Sequence, residues 1–86
     1  MGTLQRSPSV DQAAHWIRRY LCDHPKAADT AEGIQRWWLA PNFGEVALVI
    51  VEGALTELER EGVVQILDPL ALNPTYGHGS VSACGT

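Results

Sequence analysis

An apolar helical stripe that ends on Gly62 and passes straight into Val63-Val64 constrains this chain more than any other feature. Val51, Leu55 and Leu58 recur at helical spacing, and the residues from Glu57 to Glu61 are good helix formers. Gly62 stands where a left-handed C-terminal cap belongs, because glycine enters that region without a Cβ penalty. The pattern predicts one helix from about Glu45 to Glu61 with a β-branched strand directly behind it. Val46-Ala-Leu-Val-Ile-Val51 is also unbroken and apolar, so a buried strand starting near Val46 is the rival reading.

Upstream, Ser9-Val-Asp-Gln12 matches a capping box, in which the serine hydroxyl and the glutamine side chain each satisfy the other residue's amide. Val10, Ala13, Ala14, Ile17 and Leu21 then define one face of a helix, which should stop near Asp23 because Pro25 holds His24 extended. Residues 1–8 show no periodicity and are expected to form a loose leader. A second, shorter helix starts at a cap on Asp29 or Thr30, with Glu32 in its first turn. Its apolar face is Ala31, Ile34 and Trp38; Trp37 points about 100° away at ~3.6 residues per turn and is expected to stay partly exposed. Gly33 weakens this helix and suggests a close approach to the first one. Pro41 prevents it from continuing.

Val63 to Leu67 reads as a strand broken by Asp68-Pro69. Leu70 to Leu72, or the residues around Tyr76, can supply a returning strand after a turn at Asn73-Pro74. From Gly77 to Thr86 there is no packing pattern, and a flexible tail is expected. The folded unit is thus residues 9–76, mainly α with a small β-hairpin.

With 86 residues the chain supports one modest core. Its longest apolar run, Val46 to Val51, is far short of the ~18 residues of a membrane span. The first residues lack the apolar segment of a secretion signal, so a cytoplasmic location is the expectation. In that setting Cys22 and Cys84 are expected as free thiols, although one bridge between them is possible. Charge is unevenly spread. Residues 1–40 hold five basic and four acidic side chains, whereas residues 41–86 hold Arg60 against six carboxylates.

Three helices followed by a hairpin, with a tight connection between the second and third, resemble the winged helix-turn-helix superfamily. The resemblance covers about Ser9 to Tyr76 and is strongest in Val51-Glu-Gly-Ala-Leu55-Thr-Glu-Leu58-Glu-Arg-Glu-Gly62-Val63-Val64. Thr30 and Ile34 look like the cap and core positions of the family's second helix, and Tyr76 like the aromatic that often follows the wing. The resemblance implies a DNA-binding transcriptional regulator whose third helix reads the major groove. Carried onto this chain, the groove-facing positions are Asn42, Glu45, Val46, Leu48, Val49, Glu52, Gly53 and Thr56. Only Asn42 and Thr56 are neutral hydrogen-bonding types, and no Lys or Arg lies between Pro41 and Glu59. A polyanion is repelled by such a surface.

The same residues suit protein contact, where apolar side chains form the centre and charges the rim. The expectation is therefore a module acting through protein–protein contacts, as a homodimer or an assembly subunit. Trp37, Val46, Leu48, Val49 and Ile50 form its interface, covered by the core, a second copy or a partner. DNA binding is the alternative, with contacts from Arg18, Arg19, Lys26 and Arg36, besides Asn42 and Thr56. Solvated charges balanced by Asp11 and Glu32 are the commoner outcome for such arginines. His15, Cys22, His24, His78 and Cys84 have no standard metal-ligand spacing, so no metal or other cofactor is expected; a metal- or redox-responsive switch using Cys22 and His24 ranks third. No nucleophile motif or convergent polar cleft is evident, and an enzyme is not expected.

Overall fold

A computed structural model describes residues 9–41, 43–68 and 70–84. The expected leader at residues 1–8 and the candidate contact Asn42 lie outside them. Helix α1 spans Val10–Asp23, and its capping box forms as the sequence requires: Gln12 N donates to Ser9 Oγ at 3.1 Å and Ser9 N to Gln12 Oε1 at 3.0 Å. Its buried face is Ala13, Ile17 and Leu21. A short strand β1, Ala28–Thr30, follows; nothing in Ala-Asp-Thr announces it, because a three-residue segment carries no alternation.

Thr30 caps the second helix by accepting from Gly33 N at 3.1 Å. That helix, α2, is a single α turn over Ala31–Gly33 that widens into a π-helical segment, Ile34–Leu39. Ala40 N donates to Gln35 O, five residues back, at 3.2 Å. The wider turn brings Leu39 inward beside Ile34 and Trp38, all buried, and leaves Trp37 63% exposed. The tight spot at Gly33 is not helix α1 as expected. A Cβ there would overlap the Asp29 carboxylate, whereas the glycine that meets α1 is Gly53, whose added Cβ would lie 3.1 Å from Val10.

Helix α3 spans Leu48–Glu61, not Glu45–Glu61. Ala47 is its N-cap in extended geometry, and no side chain caps it. Val46 therefore belongs to neither a strand nor the helix; it is buried, and its carbonyl accepts from Gln35 Nε2 at 2.6 Å. The C-terminal end is as expected, with Gly62 at φ 85° and its amide donating to Glu59 O at 3.0 Å. Val51, Ala54, Leu55 and Leu58 of α3 pack on α1, and together with Ile34 and Leu39 they make the core.

Strand β2, Val64–Ile66, pairs antiparallel with β3, Thr75–His78, so the returning strand is the Tyr76 segment and not Leu70 to Leu72. Strand β1 pairs with the other side of β3, with Asp29 opposite Tyr76. Among the described residues the fold is three helices and a three-stranded antiparallel sheet of order β1-β3-β2, one strand more than a hairpin.

The end of the chain also departs from expectation. Gly77 is buried at the centre of the sheet, and Gly79 N and Val81 N donate to Val63 O and Gly62 O at 2.7 and 2.9 Å. Ala83 is buried, and Cys84 is joined to Cys22 in a disulfide across 62 residues, with Cα atoms 4.7 Å apart. The expected free thiols are corrected, and so is the loose tail as far as Cys84; residues 85–86 of that tail lie outside the described residues. One bond and three backbone contacts hold residues 79–84, although the isolated Val81 and Ala83 give no periodic signal.

Candidate protein-contact surface

The five candidate interface residues divide by burial. Val46 is taken by the core and cannot contact a partner, because the chain turns it inward before α3 begins. Leu48 and Ile50 are half-buried and pack against the core, while Val49, on the opposite face of the first turn, is 70% exposed. Trp37 is the other large exposed apolar group on the helices. The hairpin loop adds Leu67, Leu70 and Leu72, of which the last two are almost fully exposed. Neither the strand expected over Val63 to Leu67 nor the option of a returning strand at Leu70 to Leu72 signals this exposure.

The charge of helix α3 is negative. Helix α3 carries Glu52, Glu57, Glu59 and Glu61 against Arg60, and Arg60 is already paired with Glu57 at 3.2 Å. Thr56 is exposed, but its hydroxyl donates back to Glu52 O at 3.0 Å. Tyr76 reports the local field. Partial burial first, then the nearby carboxylates of Glu59 and Glu52, raises its phenol above the ordinary value of 10.0.

Among the described residues the basic side chains are divided, with Arg18 and Arg19 lining one recess and Arg36 another. Arg18 reaches across to Glu61 of α3 at 2.6 Å, rather than to Asp11. Arg19 lies 5.8 Å from the centre of the Trp16 ring, and Lys26 is exposed in the loop after α1. Arg36 lines a separate open recess of about 560 Å³ with Gln35, Ala40, Glu45, Val46 and Ala47. Among the described residues, no three His, Cys, Asp or Glu side chains are grouped to hold a metal ion, and no helix is long and apolar enough to cross a membrane.

No family model matches this chain, and no solved structure does. Among curated proteins it is similar to the K(+)-insensitive pyrophosphate-energized proton pump of Streptomyces avermitilis, at 30% identity over 77 residues. That stretch is 90% of this chain but 9% of the pump, so the chain spans about a tenth of the relative's length and the likeness is to a segment of it.

Proposed function

We propose that this chain is a winged helix-turn-helix module that works through protein contacts, as a homodimer or as a subunit of a larger assembly. The helix order, the short connection into α3 and the strand pair after Gly62 support the fold assignment. One observation carries the functional reading. The outward side of the second and third helices offers Trp37 and Val49 to solvent, while the polar positions of α3 are mostly carboxylates. A desolvated tryptophan and valine favour a protein surface, and the carboxylates disfavour phosphates.

Replacing Val49 with Asp tests this. The side chain is exposed, so the fold is retained while an apolar group offered to a partner becomes charged. Sedimentation should show an assembled wild type and a variant dissociated on the order of tenfold more readily. Unchanged mass together with unchanged partner binding contradicts the proposal. If the module instead binds DNA, Arg18→Ala and Arg36→Ala will abolish a duplex affinity that falls steeply with salt.

A further inference from the structure

The disulfide has a placement that the proposed contact surface does not use. Cys84 is exposed and Cys22 half-buried, and both line a surface recess of about 290 Å³ with His15, Arg18, Arg19, Asp23 and Ala83. The sulfurs are thus open to a small thiol, in a recess whose two guanidiniums are matched by Asp23 and by the Glu61 carboxylate that pairs with Arg18. The core formed by α1, the second helix and α3 is closed by Ile17, Leu21, Ile34, Leu55 and Leu58 without the bond. Strand β3 is held on both sides by the sheet, and Val81 by Gly62 O.

Beyond Val81 the attachments are few. Ala83 N donates to His78 Nε2 at 3.3 Å, with His78 Nδ1 donating to Gly79 O at 2.7 Å. The remaining ties are the burial of the Ala83 methyl and the disulfide itself.

We propose that Cys22–Cys84 is a thiol-exchangeable latch, opened by small thiols or dithiols, that fixes residues 82–84 over the C-terminal end of α1. The thiolate of the reductant attacks Cys84 Sγ. The sulfur–sulfur bond breaks, and its electron pair leaves on Cys22 Sγ, which takes a proton from water. A dithiol then closes on itself and expels Cys84 as the second thiolate, so two electrons and two protons pass to the protein. In a reducing compartment the latch is open and Ala83 leaves the core; in an oxidising one it is closed. Opening uncovers apolar surface beside His15, Arg18 and Arg19.

The test is native-state reduction of the full chain with millimolar dithiothreitol, followed by thiol labelling and amide hydrogen exchange. Both cysteines should become labelled without denaturant. The Ala83 amide should exchange on the order of tenfold faster, while Ile17 and Leu55 keep their protection. Cys84→Ser, never reduced, should show the same local loosening. A bond that opens only when the helices unfold, or a variant that loses α1 and α3 protection, makes the disulfide a structural staple and overturns the latch. A Cys84→Ser chain whose Ala83 amide stays as protected as in the wild type overturns it equally.

Discussion

Gly62 sits at φ 85°, in the left-handed region, and ends α3 so that Val63 N can donate to Leu58 O at 2.9 Å. A Cβ there would carry the conformational cost and would also stand 2.9 Å from Val81 Cγ2. Gly62→Ala should therefore lower stability by about 1–2 kcal/mol in denaturant unfolding, a loss that a glycine at an ordinary helical φ would not show. Tyr76 gives a second prediction at this scale. Its phenol is raised in the folded protein, so the folded state holds that proton more tightly than the unfolded chain does. The stabilisation is complete below the ordinary tyrosine value of 10.0 and is lost as pH rises through the folded value. Ultraviolet titration should place Tyr76 ionisation above that of free tyrosine, and Glu59→Gln should bring it down; an unmoved titration contradicts the field attributed to the carboxylates. The paired cysteines were illegible at this scale, because a separation of 62 residues says nothing about Cα atoms 4.7 Å apart.

Among the elements, those with local signals were legible and those made by pairing were not. Helix α1 runs from the Ser9 capping box to Asp23 as its sequence dictates, since both ends are set by neighbouring residues. Strand β1 exists because Ala28, Asp29 and Thr30 find Gly77, Tyr76 and Thr75 across the sheet, a contact no short window contains. The apolar run from Val46 to Val51 was ambiguous for a physical reason. Its first residue lies buried before the helix with its carbonyl accepting from Gln35, Ala47 is the extended cap, and only from Leu48 does the helical period apply. The second helix was read on the correct face, but its π turn, which adds Leu39 to Ile34 and Trp38, has no signature in composition. Leu55, fully buried on α3 in the core that packs on α1, should cost about 2–5 kcal/mol when cut to Ala, measured by equilibrium unfolding.

Across the whole molecule, the basic side chains of the described residues are split between separate recesses, and helix α3 carries mostly carboxylates. Among the described residues, the ion pair that links two helices, Arg18 to Glu61, is a surface pair worth at most about 1 kcal/mol. It nonetheless occupies a guanidinium that phosphate contact would need. Trp37 and Val49 remain uncovered, and burying them is what a partner surface would gain. The most direct measurement is the backbone amide NMR spectrum at low salt, with and without mixed-sequence duplex DNA. A protein-contact module should give a spectrum unmoved by the duplex, with linewidths of an assembled species and signals near Trp37 and Val49 that change on dilution. Specific shifts at Arg18, Arg36 or along α3 on adding duplex, from a chain tumbling as a monomer, would contradict it.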